Sequence, residues 1–93
     1  MTHVCYILRC ADGCYYVGAT ADLARRLAAH RTGRVPATCR RRPVRLVYYE
    51  RHPTALDAYM RERGLKNGRT RKATRERLIA TFPTANLHPF EAL

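Results

Sequence analysis

Apolar and polar positions alternate with a period of two over residues 3–9, with Val4, Tyr6 and Leu8 on one face and Cys5 and Ile7 on the other. Such alternation predicts a β-strand. Asp12-Gly13 is a strong hairpin signal, and residues 14–18, rich in aromatic and β-branched side chains, read as the return strand. The period then changes. Leu23 and Leu27, with Ala24 and Ala28, form an apolar stripe at helical spacing, capped by Thr20 or Asp22 and ended by Gly33. Residues 33–42 form a basic loop, and residues 44–49 a third strand. Pro53-Thr54 opens a second helix with Asp57 in a capping-box-like position and Leu56, Tyr59 and Met60 turned inward. Gly64 weakens that helix near its end. Thr70 caps a third helix that runs to about Ala80, with Leu78 and Ile79 as anchors. From Phe82 onward two prolines and few periodic residues predict an extended tail. The expected fold is α/β (α+β), a three-stranded, mostly antiparallel sheet with three helices in the order β-β-α-β-α-α. It forms one domain over residues 1–82, followed by a C-terminal tail at 83–93.

Charge changes this picture most. Eighteen basic residues against seven acidic give a net charge of +11, and sixteen of the eighteen are arginine. Arginine makes bidentate contacts to phosphate, whereas lysine is a simpler solubilising cation. No acidic residue occurs between Asp22 and Glu50, while Arg25, Arg26, Arg31, Arg34, Arg40, Arg41, Arg42 and Arg45 do. A second cluster runs through Arg61, Arg63, Lys66, Arg69, Arg71, Lys72, Arg75 and Arg77. A solvated, arginine-rich surface is the plain alternative, but a polyanionic partner explains the imbalance better, and nucleic acid is the commonest one.

Other classes recede. At 93 residues the chain makes one small domain. No apolar run approaches the ~18 residues of a membrane span, and no basic start followed by an apolar stretch marks a secretory signal. A cytoplasmic protein without membrane contact is expected. Cys5, Cys10, Cys14 and Cys39 contain no C-x-x-C spacing, so reduced thiols are expected over a disulfide framework or a zinc site.

Candidate chemistry gathers at two tyrosines. Tyr6 and Tyr16 are equidistant from a turn centre near residue 11, close to Asp12-Gly13, so cross-strand pairing within one residue of register is expected. Arg26 and His30 are four apart and share one helix face. Each has an ordinary reading: a packed aromatic, a surface cation, a helix-end histidine. Together they could form one polar pocket suited to a phosphodiester.

These residues carry a resemblance. The sequence resembles the GIY-YIG nuclease superfamily, specifically its small stand-alone bacterial members, over nearly all of residues 3–80. Tyr6, in Cys5-Tyr6-Ile7-Leu8, occupies the first motif without its leading glycine and isoleucine. Tyr16-Val17-Gly18 is the second motif. Arg26 matches the family arginine, His30 the histidine or tyrosine one turn later, and Glu62, in Glu62-Arg63-Gly64-Leu65-Lys66, the metal-binding glutamate.

The resemblance implies a metal-dependent endonuclease that hydrolyses DNA, with Tyr6, Tyr16, Arg26, His30 and Glu62 as catalytic residues. It implies one divalent ion held by Glu62. Magnesium, with manganese as a substitute, suits a site offering one carboxylate. Arg26 would bind the non-bridging oxygens. An unperturbed phenol titrates near 10, so the general base needs help from neighbouring positive charge. Tyr16 is the first candidate, with Tyr6 bonded to the water or phosphate and His30 able to relay or accept the proton.

The expected DNA contacts are Arg25, Arg34, Arg40, Arg41, Arg42, Lys66, Arg69, Arg71 and Lys72. Ala19 follows the glycine where some relatives carry lysine or serine, and Asn67 lies too near Glu62 to match the asparagine of larger relatives. No segment resembles a sequence-reading domain, which favours single-stranded or structured DNA; a monomer is assumed. Two alternatives remain: a non-catalytic basic nucleic-acid-binding module on the same fold, and a small RNA- or ribosome-associated protein.

Overall fold

The computed structural model describes residues 2–67 and 71–91. Three strands form one antiparallel sheet in the order β2-β1-β3: β1 (His3–Arg9), β2 (Tyr15–Thr20) and β3 (Arg45–His52). The hairpin between β1 and β2 closes through Cys10 N–H donating to the Cys14 carbonyl at 2.9 Å. Gly13 supplies the left-handed conformation (φ 83°) that this three-residue loop requires, and Asp12 Oδ1 accepts from Cys14 N–H at 2.9 Å.

Helix α1 (Leu23–Arg31) starts at Asp22, whose side chain accepts from Arg25 N–H, and it buries Leu23, Leu27 and His30. Ala24 and Ala28, expected in its apolar stripe, are exposed: they lie on the side of the helix turned away from the sheet. Helix α2 (Ala55–Lys66) is capped by Thr54, whose hydroxyl accepts from Asp57 N–H. Its buried residues are Ala58 and Leu65. Leu56, Tyr59 and Met60 point outward instead, 68%, 45% and 58% exposed, which corrects the expected inward stripe. The stripe faces solvent because the side of α2 packed on the sheet is the one carrying Ala58 and Leu65. Helix α3 (Arg71–Thr81) packs Leu78 and Ile79 against the sheet as expected. The expected cap Thr70 and the expected contact Arg69 lie outside the described residues.

Central strand β1 is buried on both faces. Val4, Tyr6 and Leu8 join Leu23, Leu27, Val44 and Leu46 in one cluster, and Cys5 and Ile7 join Val17, Val47 and Leu65 in the other. A bulge in β3 opposite Ile7 and Leu8 breaks strict alternation, so the consecutive residues Val47 and Tyr48 both pack on the second face.

Residues 84–91 are not the extended tail expected. Thr84–Leu87 form a 3₁₀ turn and His88–Glu91 a short helix, α4, so the described fold has four helices and not three. Leu87 and Phe90 pack on the first cluster, and Phe82 sits edge-on to Tyr48 and Tyr49 at 5.1 and 5.2 Å. Arg31 donates to the Phe90 carbonyl at 3.0 Å. Three well-spaced apolar side chains tie down this segment without any helical period to announce it. No described helix is long and apolar enough to cross a membrane.

Candidate active site

Tyr6 stands opposite Gly18 in the β1–β2 ladder, and Tyr16 stands opposite Leu8. The two tyrosines are therefore diagonal neighbours on one face, offset by two residues, and not the direct pair expected. Their ring centroids lie 6.3 Å apart. The register explains the glycine. A Cβ at Gly18 would come within 2.5 Å of both Cζ and Oη of Tyr6, so the Tyr6 ring can lie over β2 only because position 18 has no side chain.

His30, projecting from α1, meets both rings edge-on, at 5.8 Å from Tyr6 and 5.1 Å from Tyr16. Its Nε2 lies 2.8 Å from the Tyr6 hydroxyl and its Nδ1 2.8 Å from Thr38 Oγ1. Tyr6, His30 and Thr38 are each fully buried. Burial, with the Arg26 charge nearby, lowers the His30 pKa to about 4, so the ring is neutral near pH 7. Burial likewise pushes the Tyr6 phenol well above its ordinary value, against the opposing hydrogen bond from Arg26.

The direction of this chain follows the His30 tautomer: Tyr6 O–H donating to Nε2 goes with Nδ1–H donating to Thr38, and the other tautomer reverses both. Interaction with the Tyr6 and Tyr16 hydroxyls raises the Arg26 pKa, so its guanidinium stays charged.

All four expected residues of the pocket, Tyr6, Tyr16, Arg26 and His30, are thus brought together. Their accessibilities differ. Tyr16 and Arg26 remain partly open to solvent, whereas Tyr6 and His30 are enclosed and fully bonded. This geometry does not match Tyr6 contacting water or phosphate, nor His30 accepting a proton from them. Thr38 is the residue that sequence reasoning missed. Its one signal is a small hydroxyl two residues past a proline inside a short apolar stretch, Val35-Pro36-Ala37-Thr38.

Helix α2 brings up the remaining pair. Glu62 Oε1 accepts from Lys66 Nζ at 2.7 Å, and the Lys66 ammonium lies 5.6 Å from the Tyr16 ring centroid. Glu62 is close enough for its charge to raise the pKa of Tyr6. Among the described residues no cluster of three or more His, Cys, Asp or Glu is positioned to hold a metal. Glu62 supplies one carboxylate, of which Oε1 is engaged by Lys66. Such a donor set fits magnesium, which keeps most of its waters, and does not fit calcium with its six to eight oxygen ligands.

The expected DNA contacts divide. Arg25, Arg34, Arg40, Arg71 and Lys72 are exposed. Arg41 instead pairs with Asp12 at 2.8 Å, and its carbonyl accepts from Ala11 N–H at 2.9 Å, tying the loop to the hairpin. Arg42 donates to the carbonyls of Cys39 and Arg31 at 2.9 and 3.3 Å. Arg41 thus braces the loop against the hairpin, and Arg42 braces it against the end of α1.

Residues 2–76 match the GIY-YIG catalytic domain. A UPF0213 protein of Bacillus pumilus is 41% identical over 71 residues, 75% of this chain and 72% of that protein. One from Streptococcus pneumoniae is 36% identical over 83 residues, covering 88% and 82%. A UPF0213 protein of Natronomonas pharaonis is 39% identical over 79 residues, covering 84% and 91%. The solution NMR structure of a UPF0213 protein from Bacillus halodurans superposes with a TM-score of 0.54 at 36% identity, covering 84% of this chain and 85% of that one. With the domain match spanning most of its length, this chain belongs to the GIY-YIG catalytic-domain family, on its UPF0213 branch.

Proposed function

We propose that the protein is a divalent-metal-dependent endonuclease that hydrolyses DNA phosphodiester bonds, with a preference for single-stranded or structured DNA. One observation carries this reading: Arg26 and His30 of one helix meet Tyr6 and Tyr16 of the sheet in one pocket, with Tyr6 buried and Tyr16 and Arg26 partly open to solvent. Tyr16, the partly open one, acts as base in its phenolate form beside the guanidinium, takes the proton from the attacking water and becomes the neutral phenol. The same guanidinium faces the non-bridging oxygens as negative charge builds on phosphorus. Tyr6, His30 and Thr38 are positioning residues. They are joined by the Tyr6–His30 and His30–Thr38 hydrogen bonds beside Arg26. Glu62 would hold a magnesium ion, which when bound supplies positive charge to the departing oxygen.

A labelled oligonucleotide cleavage assay tests the reading. Tyr16→Phe and Arg26→Ala should each lower saturated turnover by at least about 100-fold, the scale of a lost general base or preorganised charge. Glu62→Ala should abolish magnesium-dependent cleavage while binding stays equal or tightens slightly. Unchanged turnover in Tyr16→Phe would remove it as base. The Glu62–Lys66 pair favours a second reading, a non-catalytic binding module, because an ammonium already engages the Glu62 carboxylate. Tight DNA binding by the wild-type protein with no cleavage in magnesium or manganese would establish that alternative.

A further inference from the structure

The far face of the sheet carries a second basic feature. A groove of about 490 Å³ is lined there by Arg9, Cys14, Tyr15, Lys72, Arg75 and Glu76. Strand register and helix placement build it. Arg9 stands directly opposite Tyr15 in the β1–β2 ladder, so both side chains leave the sheet on one face. Tyr15 packs on the Cys5–Ile7 cluster, whereas Tyr16 packs on the Tyr6–Leu8 cluster. Helix α3 then lays Arg75 over Tyr15, with the guanidinium carbon 5.9 Å from the ring centroid.

Three cations face one carboxylate in this groove. No ion pair among the described residues involves Arg9, Lys72, Arg75 or Glu76. Arg75 Nε is buried and has no hydrogen-bond partner there. Cations gathered in a concavity repel one another, and an unpartnered buried N–H carries a desolvation penalty. A polyanion filling the groove relieves both.

The route to the catalytic face is short. Tyr15 and Tyr16 are consecutive on β2, which is an edge strand with no further strand beyond it. A single strand is flexible enough to turn around that edge. Duplex DNA, with a persistence length near 150 base pairs, is too stiff to touch both faces of one sheet. We propose that this groove binds the phosphate backbone of a single-stranded segment flanking the bond held at Tyr16 and Arg26. The position of that bond rests on the nuclease reading above; the groove does not.

The test replaces two exposed lining cations, Arg9→Gln with Lys72→Gln, and follows binding of labelled 20-nucleotide single-stranded and duplex DNA over a range of salt. Two lost contacts should flatten the slope of log K against log salt by about 1.4 on the single strand, at ~0.7 per contact. The duplex slope should not change. An unchanged single-strand slope would overturn the groove, and an equal loss on duplex would overturn its selectivity for single strands. Exposed Cys14 gives an independent readout in the wild-type protein. Saturating single-stranded DNA should slow its alkylation, followed by peptide mass spectrometry, and the double variant should lose that protection. Equal alkylation with and without DNA counts against the groove. Protection by inorganic phosphate at the same phosphate concentration would overturn nucleic acid as the ligand. A wild-type protein that cleaves nothing, yet shows the slope change and the Cys14 protection, would sink the nuclease reading and leave the groove standing.

Discussion

Alanine at position 18 isolates the close contact on which the site is built. Away from any clash, Gly→Ala in an ordinary backbone conformation stabilises a protein by about 0.4–1 kcal/mol, because the unfolded chain loses freedom. Gly18 has no unusual φ, so that gain is available in principle. The added Cβ, however, would lie 2.5 Å from Tyr6 Cζ and Oη and 2.9 Å from Cε1. Tyr6 is fully buried and cannot swing into solvent. Overpacking of this kind costs about 1–3 kcal/mol. Moving the ring also breaks its 2.8 Å bond to His30 and leaves a buried pair unsatisfied, about 1–3 kcal/mol more. Offset by the backbone gain, the net loss should be about 2–4 kcal/mol, read by urea denaturation. For a domain of this size that lowers Tm by roughly 10–20 °C. Tyr6→Leu provides the second arm, since leucine has no atom at Cζ, Cε1 or Oη. In that background Gly18→Ala should be neutral or stabilising, giving a coupling energy close to the whole penalty. A neutral Gly18→Ala in the Tyr6 protein, or an equal loss in both backgrounds, would refute the contact.

Further outcomes follow from other features. The His30 pKa is lowered from 6.5 to about 4, so between those values the unfolded chain binds the extra proton and stability falls as pH falls. Between pH 7 and 5 the loss should be about 2 kcal/mol, and His30→Gln should flatten that slope while lowering stability at pH 7; a wild-type curve flat over this window would contradict the buried neutral ring. Glu50 and Asp12, held below their ordinary values of 4.5 and 3.8, act only at lower pH. Gly64 lies inside α2 with open space around its Cα, so Gly64→Ala should raise stability by about 0.5–1 kcal/mol in thermal melts. Arg42→Ala should cost about 1–2 kcal/mol through its two lost carbonyl bonds, whereas Arg40→Ala should leave the melt unchanged and weaken DNA binding.

What could be read from the chain was whatever local pattern decides. Strand β1, the Asp12-Gly13 turn, the Asp22 and Thr54 caps and the approach of Arg26 and His30 all follow from neighbours a few residues apart. Strand β3 runs past its expected end at residue 49 to His52 because of a long-range partner. Glu50 accepts from Tyr48, His52 and Arg61, and the Arg61 bonds reach across from α2 at 3.1 and 3.2 Å. No local hydrophobic signal marks those polar strand residues. Thr38 was hidden for a similar reason: its value lies in where the loop folds back, eight residues beyond His30. The two-residue offset between the tyrosines depends on a three-residue turn that spacing alone left undecided, and the anchoring of Leu87 and Phe90 depends on a surface made by α1 and the sheet.

The burial of Tyr6, His30 and Thr38 has a thermal consequence. In many enzymes the reactive groups sit on mobile loops, and activity fades on warming before the fold is lost. Here the floor of the pocket is the middle strand of the sheet, and it cannot loosen without the surrounding side chains parting as well. Heat inactivation and global unfolding should therefore share one midpoint. Substitutions that harden the interior would extend the working temperature range directly, without trading away function.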